Sequence, residues 1–317
     1  MNPTPSSVHI DKGLTNVSTA YFQATDAYIA GRVFPNVPVS NQTDKYFVFD
    51  KNDALREKAR VRPPNSESAG GGFRLSTDSY NAEVFAWHVD LNDQVRFNAD
   101  GGLNLQRSAA RQCTDAILRQ MESDWAATVF VTGVWNIDLD GITNFEQWST
   151  DTSSPLVDVE TQRVAILKST GRRPNTLVLG AEVYSRLKNH PDFIERIRFV
   201  SDSVVTREIM ARLLEVDRLF VAEAVAATNL EGETAAYGFM LGKHAWLGYV
   251  APAPALEEPS SGYIFTWSEA SDGSAVAVGT VTIDMPWLRT VRVESQLSWD
   301  VKITGLDLGA FFENAIS

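Results

Sequence analysis

The residues that most often carry catalysis or bind metals, histidine and cysteine, are few and scattered in this chain. They are His9, His88, His190, His244 and the single cysteine Cys113. None of them falls into the HxH, HExxH or Cys/His spacings that bind zinc. We expect His88, on the polar side of a strand, and His190, at a helix start, to be surface or capping residues. Cys113 lies on an apolar helical stripe, which predicts a buried and unreactive thiol.

One segment has the spacing of a calcium-binding loop. Asn136, Asp138 and Asp140 alternate and are followed by Gly141, as the first oxygen ligands and the turn glycine of such a loop would be. The twelfth position of a calcium loop supplies a bidentate Glu, and here it is Gln147. Because that substitution removes charge the site depends on, we favour a plain Asp-Gly turn over a calcium site.

Three consecutive glycines, Gly70, Gly71 and Gly72, follow a Pro-Pro pair in a segment of low regularity. A phosphate-binding loop would need a strand before the glycines, a helix after them and a Lys-Ser/Thr ending, and the sequence has none of these. Proline and glycine clusters interrupt regular structure. Residues 51–74 are therefore predicted to form a long protruding loop with a flexible glycine hinge.

The same loop is locally basic. Residues 51–74 contain six Lys/Arg against three Asp/Glu, and four of the basic residues alternate along the loop: Arg56, Lys58, Arg60 and Arg62. Nucleic-acid binding is one interpretation, but no aromatic residues are interleaved for base stacking. Residues 201–317 hold seven Lys/Arg and sixteen Asp/Glu, a net charge of −9. We therefore favour contact between the basic loop of one copy and the acidic surface of the next.

The composition limits the classes of protein that fit. The chain has 317 residues, of which 44% are hydrophobic, and a net charge of −12. The apolar content predicts a real core, and the acidity argues against coating DNA or binding an anionic membrane. The longest uncharged stretches have 13 residues, shorter than the roughly 20 of a membrane helix. With a single cysteine and no signal-like start, we expect a soluble cytoplasmic protein without disulfides.

The elements that must position these residues follow from periodicity. Residues 103–130 carry an i, i+4 apolar stripe and predict a long helix. Residues 85–91 and 290–304 alternate apolar and polar side chains, as half-buried strands do. Residues 45–50 predict a short strand, and the Pro- and Asn-rich residues 1–45 predict an extended arm.

Between the long helix and the last long strand, helices and strands are mixed. Helices are predicted at residues 157–170, 181–188, 191–198 and 204–214, and strands at residues 176–179 and 219–226. No internal repeat is present. The predicted fold class is α+β with mixed sheets.

Several short motifs are similar to segments of one protein family. They are Phe34-Pro35-x-Val37-Pro38, residues 135–140 with Trp148, residues 174–180 (PNTLVLG), His190-Pro191, and Thr228-Asn229 with Glu231-Gly232. Together with the order of arm, loop, strand, long helix, mixed domain and closing strand, they resemble the tailed-phage major capsid proteins. The fold implied is the Hong Kong 97-type fold, and the resemblance covers nearly the whole chain.

The resemblance implies a division of the chain into four parts. They are an N-arm (1–45), an extended loop with flanking strands (46–88), a peripheral domain with a spine helix (89–169 and 281–317) and an axial domain (170–280). The arm residues implied in contacts between subunits are Phe34, Pro35 and Val37. The loop residues implied are Arg56, Lys58, Arg60, Arg62 and the three glycines at 70–72.

The implied function is structural. Copies of the chain would form the hexamers and pentamers of an icosahedral shell that encloses double-stranded DNA without sequence-specific binding. Portal and scaffolding proteins, and in some phages decoration proteins, would be partners; no cofactor, membrane or catalysis is implied. Since the chain starts almost at the arm, a separate scaffolding protein or prior cleavage is expected. Since no Lys lies between Val61 and Tyr80, no covalent Lys–Asn cross-links between subunits are expected.

Two other classes of protein remain as alternatives. An encapsulin-type compartment shares the implied fold but would hold cargo enzymes instead of a genome. An unrelated hydrolase is the enzyme alternative, for which the sequence suggests no nucleophile and base.

Overall fold

The structure is a computed structural model that describes residues 23–49, 51, 55–72, 74–99, 104–197, 205–255, 258–271 and 278–317. The described residues form these helices: α1 (Ala30–Val33), α2 (Asp93–Asn98), α3 (Leu105–Val129), α4 (Pro155–Thr170), α5 (Ala181–Leu187), α6 (Pro191–Ile197) and α7 (Arg207–Leu213). His9 and Leu103, which entered the sequence predictions, lie outside the described residues.

Fourteen strands accompany the helices in the described part of the chain. They are β1 (Asn36–Val39), β2 (Thr43–Phe49), β3 (Leu75–Asn81), β4 (Glu83–Asn92), β5 (Ile137–Asp140), β6 (Thr176–Gly180), β7 (Arg218–Ala222), β8 (Val225–Ala227), β9 (Tyr237–Phe239), β10 (Ala245–Gly248), β11 (Gly262–Trp267), β12 (Gly279–Met285), β13 (Thr290–Ile303) and β14 (Gly309–Glu313). The mixture of helices and sheets confirms the predicted α+β class.

The long helix α3 occupies most of the predicted range, and its apolar stripe is buried as expected. The buried stripe residues are Ala109, Cys113, Ile117, Met121, Trp125 and Val129. The helix begins where the Asn104 side chain accepts a hydrogen bond from the Arg107 N–H at 3.0 Å. One charged residue of α3 is also fully buried, although it is not part of the apolar stripe: Glu122.

The first sheet is organised by β13. Its strand order is β1-β11-β13-β12, and β4 also pairs with β13. β4 and β13 are antiparallel over ten residue pairs, with Val293 opposite Val89. The odd-numbered residues of β13 from Val291 to Trp299 are buried, as the alternation predicts. This long strand packs against α3.

The second sheet has the order β5-β14-β10-β6-β7 and is apolar on both faces. In β6, Val178 packs in the core shared with α3, while Leu177 and Leu179 pack in a second core with α4 to α7. This explains why residues 176–180 are buried without alternation. The sheet joins β5 and β14, from the predicted peripheral domain, with β6, β7 and β10, from the predicted axial domain.

β2 and β3 form a separate antiparallel hairpin, in which Thr43 pairs with Asn81 and Phe49 pairs with Leu75. Residues 50–74 connect the two strands, and the described residues 55–72 among them form no helix or strand. The hairpin is therefore the base of the predicted extended loop. The predicted loop region ran to residue 88, but β4 begins at Glu83 and belongs to the sheet of β13.

Candidate subunit-contact surfaces

The tip of the long loop presents the basic residues to solvent. All four predicted contact residues are exposed: Arg56, Lys58, Arg60 and Arg62. Between them, the Val61 side chain is 96% exposed. The Arg62 Nε–H donates to the Ser66 carbonyl at 2.6 Å, and the Lys58 ammonium donates to the Gly72 carbonyl at 3.4 Å. The tip is therefore a basic, solvent-facing segment braced by contacts within the loop itself.

The three glycines of the loop lie in open space. A side chain built at Gly70, Gly71 or Gly72 would meet no other atom within 4 Å. No tight packing therefore requires glycine at these positions. Three consecutive glycines are then explained by the backbone freedom that glycine provides.

The β2–β3 hairpin has two unlike faces. On the inner face, Tyr46 and Tyr80 stack on Phe265 of β11, with ring centroids 5.3 and 4.6 Å away. The Tyr46 hydroxyl also donates to Asp78 of β3 at 2.8 Å. These contacts fix the inner face of the hairpin to its own subunit.

On the outer face of the hairpin, three large apolar side chains face solvent. Phe47 is 59% exposed, Phe49 is 43% exposed and Leu75 is 47% exposed. Phe49 and Leu75 are paired across the two strands, and Phe47 is on the same face two residues away. The sequence did not reveal this outer face, because residues 46–49 are all apolar and do not distinguish the two faces of β2. We call these three residues the outer apolar face.

The start of the loop is tied to the body of the subunit. Lys51 forms an ion pair with Asp307, which also accepts a hydrogen bond from the Asn136 side-chain amide. Burial alone would raise the pKa of Asp307, but these two donors lower it below its usual value. The subunit body is thus attached just beyond the end of β2, where the hairpin meets the loop.

The arm packs against its own subunit at Phe34. The Phe34 side chain is fully buried and contacts the Trp125 and Trp246 rings edge-on, at centroid distances of 5.9 and 5.8 Å. This corrects the expectation that Phe34 contacts a neighbouring subunit, because no surface of its side chain is left for such a contact. The Pro35 carbonyl accepts from the Ile264 N–H at 3.2 Å, and Val37 in β1 pairs with Phe265. Both residues are partly exposed, so their contact role stays a prediction.

A second attachment of the arm involves the buried Glu122. Its Oε2 accepts hydrogen bonds from the backbone N–H groups of Ile29 and Ala30, at 2.9 and 2.8 Å. Burial raises the pKa of Glu122 to about 7, while the two N–H donors act in the opposite direction. The sequence pattern missed this role, because the residue that Glu122 binds lies more than ninety positions earlier and has no local signal.

One serine–histidine pair bears on the hydrolase alternative. The Ser153 hydroxyl lies 3.1 Å from His190 Nε2, and both residues are buried. His190 Nδ1 accepts from the Asp192 N–H at 3.2 Å, so the ring proton is on Nε2, which also faces the Thr150 carbonyl at 3.0 Å. In that tautomer Nε2 cannot take a proton from serine. His190 is therefore a capping residue, which is one of the two roles, surface or capping, that the sequence predicted for it.

The remaining candidates are structural where the structure describes them. His88 is exposed. The Asp140 carboxylate accepts from the Ile142 N–H at 3.2 Å, which confirms the predicted turn. Gly141 is needed there because a side chain would lie 2.2 Å from the Asn314 carbonyl oxygen. Among the described residues, no three His, Cys, Asp or Glu side chains are grouped to hold a metal ion. None of the described helices is both long and apolar enough to span a bilayer.

Sequence comparison places the chain among phage proteins. No protein-family model matches the sequence. The major capsid protein of Burkholderia phage BcepMu is 29% identical over 240 residues, covering 72% of this chain and 74% of the relative. The major capsid protein of Pseudomonas phage JBD67 is 25% identical over 320 aligned positions, covering 97% of each chain.

Comparison with solved structures shows that the fold occurs in a phage-related protein, in a phage capsid and in an encapsulin. A phage-related protein of Bordetella bronchiseptica matches with a TM-score of 0.69 and 24% identity, covering 92% of this chain and 94% of the other. The capsid protein of cyanophage P-SCSP1u matches with a TM-score of 0.62 and 9% identity, covering 96% and 92%. The SrpI encapsulin of Synechococcus elongatus matches with a TM-score of 0.54 and 11% identity, covering 96% and 93%.

The encapsulin likeness concerns the fold alone, whereas the two relatives found by sequence are both phage capsid proteins. The phage assignment is therefore stronger than the encapsulin alternative. The long helix, the long strand beside it, the hairpin with its loop and the mixed sheet occur in the order that the resemblance implied. The sequence relatives and the fold together identify this chain as a tailed-phage major capsid protein with the Hong Kong 97-type fold, and hence as a structural protein of the virion.

Proposed function

We propose that the chain assembles with copies of itself through the β2–β3 hairpin, its loop and the arm, forming the hexamers and pentamers of an icosahedral shell around double-stranded DNA. The observation that carries this proposal is the hairpin: its inner face packs on Phe265, its outer face is apolar and exposed, and its tip is basic. A lone subunit gains nothing from holding these groups in solvent.

The outer apolar face supplies the attractive term between subunits. Burial of one such side chain stabilises a contact by roughly 1.5–3 kcal/mol when the burial is complete. Phe47, Phe49 and Leu75 are each about half exposed in the single subunit, so each retains part of that gain for a neighbour. Because every subunit both gives and receives a hairpin, modest pairwise terms add up around a closed shell.

The basic tip supplies orientation. Residues 56–62 contain four Lys/Arg and one Asp/Glu, whereas residues 201–317 carry a net charge of −9. Opposite charges steer two surfaces together and penalise wrong registers. We propose that Arg56, Lys58, Arg60 and Arg62 contact acidic groups in the C-terminal third of the next subunit. Gly70, Gly71 and Gly72 let the tip bend as the shell matures.

The domain division is best drawn along the two sheets. We propose a peripheral domain of α3, β4 and β11 to β13, and an axial domain of the sheet β5-β14-β10-β6-β7 with helices α4 to α7. β5 and β14 move to the axial side because they are hydrogen-bonded to that sheet. β11 moves to the peripheral side because it pairs with β13.

The other partners follow from the capsid role. Portal and scaffolding proteins, with decoration proteins in some shells, are the proposed partners, and the proposed site of assembly is the host cytoplasm. The net charge of −12 suits a container through which DNA slides without sticking. The role is structural and without catalysis, and the tautomer of His190 in the Ser153 pair supports this.

Deleting residues 63–72 tests the loop's role. This deletion removes the glycine hinge and the Pro-Pro turn but leaves β2, β3 and the four basic residues in place. We expect a soluble, folded subunit with an unchanged circular dichroism spectrum that forms no shells in electron micrographs. Shells of normal size and yield from the deletion variant would refute the proposed role of the loop.

A further inference from the structure

Glu122 is a fully buried carboxylate, and no charged group in the described part of the chain compensates its charge. It lies on α3 in the shared core with Ile29, Ala30 and Trp125. Its Oε2 accepts the N–H groups of Ile29 and Ala30, while its Oε1 is buried without a hydrogen-bond partner in the described part of the chain. An ionised carboxylate buried in this way is costly, because two neutral donors replace a full shell of water.

The charged and titratable groups on the elements around Glu122 are engaged elsewhere. Tyr28 donates to Asp115, which pairs with Arg119; Asp124 accepts from the Trp299 indole; Arg32 lies over the Phe220 ring; and the Arg218 guanidinium donates to the Thr176 hydroxyl. None of them contributes to the pKa of Glu122, which is set by burial and by the amides of Ile29 and Ala30.

The arm residues that Glu122 binds lead into its deepest anchor. Ile29 and Ala30 begin the one-turn helix α1, whose N-terminal N–H groups need an acceptor. Four residues on, Phe34 enters the core between Trp125 and Trp246. Gln23 holds the arm further upstream through two hydrogen bonds between its side-chain amide and the Val225 backbone. Glu122 is thus the polar contact at the centre of the arm's docking site.

We propose that Glu122 positions the arm for assembly and that docking of the arm on α3 takes up a proton at Glu122, so that the arm is held more firmly at mildly acidic than at alkaline pH. The functional significance of this proposal rests on the proposed role of the arm in assembly. Its test does not, because the experiments measure docking of the arm in the isolated subunit. It concerns the subunit itself, before any contact with a neighbour.

The sign of the effect follows from the two states of the arm. With the arm docked, the pKa of Glu122 is about 7, and with the arm released and water admitted it returns toward its ordinary 4.5. The neutral carboxyl therefore favours docking fully below about pH 4.5, and this advantage is lost as the pH rises through about 7. Between about pH 4.5 and about pH 7, each pH unit changes the equilibrium constant for docking of the arm by up to about tenfold.

Hydrogen–deuterium exchange of the purified subunit tests this directly. The readout is the protection of the peptide spanning residues 29–34, taken as the ratio of wild type to Glu122→Gln at each pH, because intrinsic exchange rates then cancel. We expect that ratio to fall by at least about tenfold between about pH 5.5 and pH 8. The exposed control Glu195→Gln should keep the wild-type pH dependence.

One further variant, Glu122→Ala, distinguishes positioning of the arm by the side-chain oxygen from bulk packing. Glu122→Ala should lose protection of residues 29–34 at both pH values, whereas Glu122→Gln should retain it at alkaline pH, since the amide oxygen still accepts an N–H. A constant ratio between the two pH values, or the same loss in Glu122→Gln and Glu122→Ala, would overturn the proposal. A shell that fails to form while this pH dependence holds would count against the proposed function of the arm alone.

A measurement on the unmodified chain keeps the test decisive where a variant does not fold. Infrared difference spectra with isotope-labelled glutamate report the protonated carboxyl of a buried glutamate directly. We expect a carboxylic-acid band present at about pH 5.5 that disappears by about pH 8. Absence of that band at the acidic pH would overturn the proposal, because Glu122 would then be ionised throughout.

Discussion

The ring of Phe34 lies directly against the α-carbon of Gly262. A side chain built at Gly262 would place its Cβ 2.4 Å from Phe34 Cε2 and 2.8 Å from the Lys302 carbonyl oxygen. Gly262 opens β11, the strand that pairs with both β1 of the arm and β13. The glycine thus creates the space in which the arm crosses the core.

Gly262→Ala should therefore destabilise the subunit. The added methyl must displace either the Phe34 ring or a strand backbone, and such overpacking costs typically about 1–3 kcal/mol. We expect a lower midpoint of urea unfolding with an unchanged slope. Gly71→Ala, in open space, is the matched control and should leave the midpoint within about 0.5 kcal/mol. Equal midpoints for Gly262→Ala and wild type would contradict the close approach.

Cys113 should be inert in the folded chain. Burial raises the pKa of its thiol, and Sγ donates to the Val293 carbonyl at 3.5 Å. We expect iodoacetamide to alkylate Cys113 at least about tenfold more slowly in native protein than in urea, measured by mass spectrometry. Labelling at equal rates in both conditions would show that the helix–strand packing around Cys113 opens readily. Cys113→Ser should remove labelling altogether and serves as the blank.

The elements that the sequence predicted well are long and strongly periodic. Helix α3 and strand β13 each bury one regular face, and their predicted ranges differ from the observed ones by at most two residues at either end. Short apolar runs were less certain. The predicted strand at 219–226 is two strands, β7 and β8, separated by a two-residue break at 223–224.

What the sequence did not reveal depends on contacts between distant segments. The burial of Glu122 follows from the arm crossing α3, and the burial of Phe34 follows from the space above Gly262. β14 joins the second sheet by pairing with β5 and β10, and no local pattern in residues 309–313 encodes those partners. Long-range pairing of this kind is also the basis of the domain division that we propose.

The outer apolar face should matter for assembly and not for folding. Phe47→Ser and Phe49→Ser, made together, remove two rings that are 59% and 43% exposed in the single subunit. We expect the free energy of unfolding to change by less than about 1 kcal/mol. Shell yield, measured by sedimentation and electron microscopy, should fall strongly. Val164→Ser, a 53% exposed position on α4, is the control and should assemble normally.

Reversal of charge at the loop tip should weaken assembly in a salt-dependent way. Arg60→Glu with Arg62→Glu changes the charge of an exposed segment that opposes an acidic partner surface. At low ionic strength, where the Debye length is about 30 Å, we expect slow assembly, and the difference from wild type should shrink at about 1 M salt, where charges are screened within about 3 Å. Light scattering measures the assembly rate, and Arg173→Glu, an exposed arginine outside the loop, is the control. Assembly rates that the reversal leaves unchanged at every salt concentration would contradict this prediction. The charges of the tip would then contribute nothing to the contact between subunits.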